Sequence, residues 1–162
     1  MFPKAKSLGL LFKDHKMLLE EQEGKHSKGT GLFYRPIGGT IEIGEKSDET
    51  VIREYGEELS VEITIQRYVT CRENIFTIDG HIGHELIQIY IVELEDKSLN
   101  EQEIFKVVEG DKITCAKWIS LEDIIKDKKI TYPNGLKEVL CKMIGKEEDN
   151  EQLENIKCKL CL

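Results

Sequence analysis

The most constraining feature of this sequence is a cluster of acidic residues between positions 38 and 61, where the chain reads GGTIEIGEKSDETVIREYGEELSV. Seven acids fall within seventeen consecutive residues, and only Lys46 and Arg53 oppose their charge. On a helix, like charges three or four positions apart repel by about 0.2–0.5 kcal/mol per pair. The chain therefore either binds a cation here or exposes these acids on a solvated face.

Local signals predict a helix over residues 48–59. Ser47 has a residue type preferred at helix N-caps, and Asp48 and Glu49 fall in the first turn, where the helix dipole favours acids. No proline interrupts this segment. It spans about three turns, so its charged and apolar residues separate onto defined sides.

The two sides of this helix differ when successive residues are placed about 100° apart. One side carries three carboxylates, Glu54, Glu57 and Glu58. The other carries an apolar stripe that is expected to face the core, Ile52, Tyr55 and Leu59. Arg53 lies one turn before Glu57 and can pair with it, but one guanidinium does not neutralise three acids. Mg²⁺ or Mn²⁺ suits such a site, because hard cations prefer oxygen ligands and Mg²⁺ also binds substrate phosphates.

The segment before the helix favours the cation-binding interpretation. Gly38 and Gly39 are followed by Gly44 and Glu45, and glycines permit a close approach of the backbone. Such a loop can bring main-chain carbonyls and the Glu45 carboxylate beside the acidic side of the helix.

This stretch resembles the Nudix box, which is a glycine, five residues, a glutamate, seven residues, and then Arg-Glu-apolar-x-Glu-Glu-x-Gly-apolar. The matched positions are Gly39, Glu45, Arg53, Glu54, Glu57, Glu58 and Val61. The order of the other predicted elements also resembles a Nudix domain, so the resemblance covers nearly the whole chain. It implies an α/β (α+β) fold, namely an α/β/α sandwich with a mixed β-sheet, the box as a loop and helix, and a C-terminal helix.

The resemblance also implies an activity, the metal-dependent hydrolysis of a phosphoanhydride bond in a nucleoside diphosphate linked to another moiety. The implied metal shell is Glu54, Glu57, Glu58 and the Gly39 carbonyl, with Mg²⁺ or Mn²⁺ as the ion. Arg53 would orient Glu57 or its neighbours. Glu45 would brace the loop or bind metal through water.

Several residues are candidates for the remaining roles. Glu54 is one candidate general base, and Glu85 is another because the turn before it begins a strand that can point back toward the helix; a surface position is the alternative for Glu85. Arg35 is a candidate phosphate contact or a solvated residue at a strand end. Tyr34 and Phe33 are candidates for stacking on a base, and strand alternation puts one of the pair in the core.

Three positions depart from the family pattern. Ser60 stands where the family has glycine, Tyr55 stands where a smaller aliphatic is usual, and Pro36 is shifted by one place. None of these changes removes a carboxylate, so the catalytic interpretation is kept. The alternatives are a catalytically inactive Nudix-type nucleotide-binding or regulatory module, and an acidic domain that binds neither metal nor nucleotide.

Charge and cysteine content limit the partners. A formal net charge of −8 disfavours long nucleic acid, because such binding depends on clustered Lys and Arg. The apolar run near the N-terminus is too short for a signal peptide or a membrane span, so we expect a cytoplasmic protein with a small nucleotide-type substrate. A monomer or a homodimer is expected. Five cysteines suit reduced thiols, and Cys158 and Cys161 are expected to have no function.

The rest of the chain predicts a strand-rich domain over residues 1–145 and a charged tail over residues 146–162. Strands are predicted at residues 7–13, 17–22, 32–35, 61–70, 84–95 and 113–119. The first two form a hairpin, and Asp79-Gly80 supplies a turn between the two long strands. Further helices are predicted at residues 120–125 and 135–145, and loops at residues 23–31 and 96–111.

Overall fold

The structure of the protein, a computed structural model, describes residues 2–148. Residues 146–148 continue the last helix of the fold. The rest of the predicted tail, including Cys158 and Cys161, lies outside the described residues.

The described residues contain strands and helices in the order expected from the sequence. The strands are β1 (Lys4–Lys13), β2 (Lys16–His26), β3 (Gly29–Arg35), β4 (Ile37–Thr40), β5 (Ile63–Ile78), β6 (His81–Leu94), β7 (Ile104–Glu109) and β8 (Lys112–Ser120). The α-helices are α1 (Ser47–Leu59), α2 (Leu121–Ile125) and α3 (Leu136–Glu148), and a short 3-10 helix spans Lys97–Glu101.

Two hairpins form around the turns that the sequence predicts. Asp14 and His15, with φ of 45° and 60°, connect β1 to β2, and Asp79 and Gly80, with φ of 50° and 78°, connect β5 to β6. Positive φ at both central residues matches the right-handed twist of the paired strands. These turns set the register of both hairpins.

Two segments predicted as loops contain strands instead. Within residues 23–31, β2 continues to His26 and β3 begins at Gly29, with Gly24 paired to Gly31. The backbone of both glycines is extended with φ of 144° and 132°, a conformation that few other residues adopt. Within residues 96–111, the 3-10 helix and β7 form, because β7 pairs with β8 along its length. Composition alone does not reveal such cross-strand pairing.

The strands form one mixed sheet with the order β5-β6-β1-β2-β8-β7, and β3 and β4 add to β2 and β1. β1 pairs in parallel with β6 and antiparallel with β4, and its last two residues begin the hairpin with β2. β1 thus connects two halves of the sheet, β4-β1-β6-β5 and β3-β2-β8-β7. The mixed sheet confirms the expected fold class.

Alternating side chains of β1 and β2 fill two cores, one on each face of the sheet. Leu10 packs with Leu136 of α3 and with α2, whereas Leu11 packs on the opposite face with Val51 of α1. Alternation along a strand sends successive side chains to opposite faces, so one strand supplies both cores. The helices therefore cover both faces, which confirms the α/β/α sandwich.

The start and the buried side of α1 differ from the prediction in detail. Lys46, not Ser47, is the N-cap, and the Glu49 carboxylate accepts the Lys46 N–H at 2.9 Å. The Ser47 hydroxyl instead lies 2.6 Å from the Tyr90 hydroxyl. Ile52 is 45% exposed and Val51 is buried in its place, because the core lies more toward the Val51 side of the helix than the predicted stripe.

Tyr55 is fully buried, as the predicted apolar stripe implies, and Gly9 of β1 makes room for this residue, which is larger than the aliphatic usual in the family. The Tyr55 hydroxyl donates a 2.8 Å hydrogen bond to the Gly9 carbonyl. A Cβ at Gly9 would lie 2.6 Å from Val51 Cγ1 and 2.8 Å from Tyr55 Cε2. This contact attaches α1 to the middle of the sheet and satisfies the buried phenol.

Two further observations concern expected properties of the chain. No helix within residues 2–148 has the length and apolar character needed to cross a membrane. Among the described residues, Cys71, Cys115 and Cys141 are free thiols.

We expect Gly9→Ala to lower the free energy of unfolding by about 1–3 kcal/mol, because the new methyl overpacks the contact between α1 and the sheet. Gly56→Ala is the matched control, since a Cβ there meets nothing within 4 Å. At that helical position the change should stabilise the protein by about 0.5–1 kcal/mol. Urea denaturation of the two variants measures the contrast, and a Gly9→Ala variant as stable as wild type contradicts the packing.

Ser60 ends α1 in the left-handed conformation, with φ of 56° and ψ of 38°. A side chain costs about 1 kcal/mol there relative to glycine. We therefore expect Ser60→Gly to raise the free energy of unfolding by about that amount, whereas Ser60→Ala, which keeps a Cβ, should not. Chemical denaturation of both variants tests this, and an equal gain in the two would refute the conformational explanation.

Candidate functional site

The glycine loop and the acidic helix meet directly at the predicted site. Gly39 lies in β4, paired with Ser7 of β1, so the sheet positions its backbone. A Cβ at Gly39 would lie 2.1 Å from Glu54 Oε1 and 2.5 Å from its Cδ. Only glycine at this position lets the Glu54 carboxylate rest against the loop, which brings the Gly39 backbone beside Glu54.

Arg53 holds the loop and the acids together through its guanidinium. Its Nε donates to Glu45 at 2.7 Å, and Nη1 donates to Glu54 at 2.9 Å and to Glu57 at 3.1 Å. Nη2 donates to the Thr40 carbonyl at 3.1 Å. The predicted pairing with Glu57 one turn later is present, and one side chain connects three carboxylates with the loop backbone.

Glu45 lies where it braces the loop. Its carboxylate accepts hydrogen bonds from Arg53, from Thr50 Oγ1 at 2.7 Å and from the Glu42 N–H at 3.1 Å. Arg53, followed by Thr50 and the Glu42 backbone, lowers the pKa of Glu45 to about 2. The Glu45 carboxylate therefore stays ionised, and both of its oxygens already accept hydrogen bonds, which suits a structural brace.

Among the acids of the site, Glu58 has the pKa that departs most from that of an ordinary glutamate. It is only 6% exposed, and its Oε2 has no hydrogen-bond partner within the described structure. Burial, together with the nearby charges of Glu20, Glu54 and Glu109, raises its pKa to about 8, against the opposing effect of Arg35. Burial also raises the pKa of Glu54, although Arg53 acts in the opposite direction.

Glu57 differs from the other two acids because its side chain is 61% exposed. It remains beside the site through its bond to Arg53 Nη1. The three acids therefore present one exposed and two largely buried carboxylates along one side of α1.

Two further acids of this site were missed by the sequence analysis. Glu20 of β2 is buried and accepts from Arg35 Nε at 3.1 Å, and Glu109 at the end of β7 accepts from Arg35 Nη2 at 3.2 Å. Glu20 shares the strand face of Leu18, so its position two residues after a buried leucine was a signal for an inward-facing acid. Glu109 lay in a segment predicted as a loop.

Arg35 is therefore ion-paired, although 35% of its side chain is exposed. It lies between the buried Glu20 and the exposed Glu109 and also lines a cavity of about 290 Å³ beside the glycine loop. Burial lowers the pKa of Arg35, but the neighbouring carboxylates, Glu20 first and then Glu109, outweigh burial and raise the pKa above its ordinary value. Its position between the acids and the cavity connects the two parts of the site.

Of the remaining predicted residues, two line the cavity and one does not. Phe33 lines it, whereas Tyr34 is 3% exposed in the core beneath α3 and donates to Glu21 at 2.8 Å. Strand alternation thus places Tyr34 away from the cavity. Glu85 lines the cavity together with Gly39, and there it pairs with Lys6 at 2.9 Å and accepts from Asn74 at 3.2 Å.

The acid site suits a divalent cation in its chemistry. Within residues 2–148, no three His, Cys, Asp or Glu side chains already converge as a metal-binding group. However, Glu58 Oε2 is buried without a partner, and repulsion among the acids contributes to the raised pKa of Glu54 and Glu58. Oxygen donors that lack hydrogen-bond donors are the ligands that hard cations prefer, so the residues fit such an ion.

We expect the stability of the metal-free protein to fall as the pH rises from about 5 to about 8. Glu58 has a folded pKa of about 8 against 4.5 for an ordinary glutamate, so in this range the folded state holds a proton that the unfolded state has lost. Glu58→Gln should flatten the fall. Thermal unfolding in a chelating buffer across this range measures it.

Glu62→Gln is the matched control for this experiment, because Glu62 is exposed and lies just beyond α1. It should keep the wild-type dependence on pH. A Glu58→Gln variant whose melting temperature falls as steeply as that of wild type would show that Glu58 is ionised in the folded protein.

Comparisons with known proteins identify the family and the fold of the chain. A family profile described as NUDIX domain matches residues 4–142. A comparison with curated proteins found no match. Similar solved structures include a NUDIX hydrolase from Nitrosomonas europaea, at 17% identity over 86% of each chain with a TM-score of 0.62. A MutT NUDIX hydrolase from Burkholderia pseudomallei is 19% identical over 86% of this chain and 97% of that one, with a TM-score of 0.59.

An ADP-ribose pyrophosphatase from Streptococcus suis has a similar fold, at 18% identity over 75% of this chain and 77% of that one, with a TM-score of 0.50. At such identities the structural likeness shows the fold alone, while the family profile covers most of the chain. The chain therefore belongs to the Nudix family of hydrolases.

Proposed function

We propose that this protein hydrolyses a phosphoanhydride bond in a nucleoside diphosphate linked to another moiety, with a divalent metal ion. The observation that carries the proposal is the acidic side of α1, where Glu54 lies against Gly39 and Glu58 is buried without a hydrogen-bond partner among the described residues. Nudix proteins generally use divalent metals and act on small nucleotide substrates. The acids and the adjacent cavity suit the two halves of such a substrate.

The proposed ligands of the ion are the carboxylates of Glu54, Glu57 and Glu58 with the Gly39 carbonyl, and Mg²⁺ or Mn²⁺ is the proposed ion. A bound divalent ion supplies positive charge for a pyrophosphate group and makes water more acidic. Arg53 keeps Glu54 and Glu57 in position through its two bonds from Nη1. Glu45 in turn keeps Arg53 in position from the opposite end of the guanidinium.

Glu54 is the better candidate for the general base. Its carboxylate lies against the loop beside the other acids of α1. Burial raises the pKa of Glu54, which suits a proton acceptor although Arg53 also binds it, whereas Glu85 is engaged with Lys6 and Asn74 at the cavity wall. We assign Glu85 to the cavity wall and Glu54 to proton transfer.

Arg35 is proposed to contact a substrate phosphate. Its buried partner Glu20 fixes the side chain, while its other partner, Glu109, is exposed. A guanidinium oriented by one carboxylate retains donors for phosphate oxygens. Its place at the cavity beside the acids suits a pyrophosphate that runs from one to the other.

The inactive-module alternative depended on the departures at Ser60, Tyr55 and Pro36. Ser60 adopts the left-handed conformation of a helix end, and Tyr55 fits above Gly9. Neither moves an acid away from α1, so we propose the enzyme. A cytoplasmic location and a monomeric or dimeric state remain predictions.

The proposal is tested by product analysis after incubation with Mg²⁺ and a panel of nucleoside triphosphates, nucleotide sugars, ADP-ribose, dinucleoside polyphosphates and NADH. We expect one substrate class to be cleaved. For that substrate, Glu57→Gln should lower kcat/KM by about tenfold to a hundredfold. Because Glu57 is exposed, the variant should fold as well as wild type.

Glu62→Gln removes one exposed acid outside the cluster and should leave the cleavage rate unchanged. Cleavage that persists at the wild-type rate in Glu57→Gln would remove this acid from the site. If folded wild-type protein cleaves nothing in the panel, a binding module or a substrate outside the nucleotides becomes the better explanation.

A further inference from the structure

The helices of residues 2–148 cover only part of one face of the half-sheet β3-β2-β8-β7. Near the β1-β2 hairpin, Met17, Leu19 and Ile119 lie on this face and pack into the core that α2 and α3 complete. Farther along the strands, the same face carries four apolar side chains that are 38–62% exposed, namely Leu32, Ile104, Val108 and Ile113. The part of the face that these four side chains define is called the open face.

Strand alternation and register place the four side chains on one side of the sheet. In β7 they alternate with the buried Val107, which fills the core on the α1 side. Val108 lies directly opposite Ile113 of β8. Leu32 lies two residues before Tyr34, whose side chain is buried in the core beneath α3. Single exposed apolar residues are ordinary, whereas a group of them on one face marks a surface that binds something.

The polar residues of the open face carry charges of both signs. Lys106 projects from β7 between Ile104 and Val108, and Glu23 of β2 is opposite Leu32 of β3. Among the described residues, neither Lys106 nor Glu23 forms an ion pair. An occupant that suits this face therefore combines an apolar stripe with both acidic and basic side chains.

The chain beyond Glu148 has this composition. Residues 149–162 read DNEQLENIKCKLCL, with three acids before position 155 and two lysines after position 156. Leu153, Ile156 and Leu160 are three and four positions apart, a spacing typical of one apolar side of a helix. Helices as short as about 12–15 residues are marginal in water alone, so such a stripe needs a surface to pack on.

This segment also begins on the correct side of the sheet and has sufficient length. α3 packs in the same core as Met17 and Ile119, so the described chain ends on the side of the open face. From β1, against which α3 packs, to β7 there are three strand spacings, or about 14 Å. The 14 residues from 149 to 162 span about 20 Å even as a helix, so the segment can lie across β8 and β7.

We propose that residues 149–162 dock on the open face, with the stripe of Leu153, Ile156 and Leu160 packed over Ile113 and Val108. Docking removes apolar surface on both sides of the contact from water, which drives the association. The covalent link favours this occupant over a separate molecule, because a tethered segment acts at an effective concentration on the order of millimolar.

Docking supports the acid site from behind. Glu109, at the end of β7, pairs with Arg35 at 3.2 Å. Thr114 of β8 donates to the buried Glu20 at 2.7 Å. The open face is the reverse side of these two strands, so the docked segment stabilises the strands that position both carboxylates.

Two cysteines of the protein report on the two faces of the sheet. Cys115 lies on the open face, two residues after Ile113, and is partly exposed. Cys71 is exposed on the α1 side, opposite Gln88 of β6. N-ethylmaleimide reacts with accessible thiols, so mass spectrometry of the alkylated peptides measures the accessibility of each face.

The first test compares the full chain with a chain that ends at Glu148. We expect Cys115 to react about tenfold more slowly in the full chain, because the docked segment must open before the reagent enters. Cys71 should react at the same rate in both chains, which also shows that the shortened chain is folded. Equal rates at Cys115 in the two chains overturn the inference.

Ile156→Ser keeps the whole chain and removes one apolar side chain of the stripe, so it tests docking even if the shortened chain fails to fold. We expect it to recover most of the faster rate at Cys115. Asn155→Ser is the matched control, because position 155 lies about 100° around a helix from Ile156 and off the stripe. It should keep the wild-type rate, and an Ile156→Ser variant that also keeps it contradicts the docking.

Protein concentration separates the tail from a second copy of the chain. Protection of Cys115 by the chain's own tail is unchanged on dilution, whereas protection by a second copy is lost. Loss on dilution therefore overturns the inference in favour of an interface between copies. These rates do not depend on hydrolysis, so a failure of the proposed function leaves the docking intact, and the reverse also holds.

Discussion

The hydrogen bonds of Arg53 are the interaction on which the rest of the site depends. One guanidinium connects Glu45 and the Thr40 carbonyl of the loop with Glu54 and Glu57 of the helix. Each of these bonds joins ionised groups or a charge and a carbonyl, which makes them stronger than neutral hydrogen bonds. The loop therefore stays against the helix although the acids repel one another.

The position of α1 on the sheet supports this arrangement from below. Gly9 lacks a side chain, so Tyr55 lies directly on β1 and donates to its backbone. Glu58, three residues after Tyr55, is buried as well, and its neighbours Glu20 and Glu109 come from two other strands. Burial without a partner raises the pKa of Glu58, so the packing of the helix creates the chemistry of the site.

Much of this could be predicted from residue order. The spacing from Gly39 to Glu58 predicted the loop, the helix and the pair between Arg53 and Glu57, because these contacts are local and helix geometry relates them directly. Glu109 and the strand that carries it were missed, since pairing between distant strands leaves no periodic signal in a charged segment. Ile52 was placed wrongly because an angle of about 100° per residue does not locate the centre of the core.

The sequence by itself determined the family, the mixed α/β fold and the set of acids on α1, because each depends on residue types at short, fixed spacings. Only the tertiary structure decided which acids are buried, that Arg35 lies between Glu20 and Glu109, and that Phe33 rather than Tyr34 faces the cavity. It also placed His26 and Asn74, from strands far apart in sequence, on the walls of one cavity. Burial and long-range contacts arise from how the sheet and helices pack, and no local pattern records them.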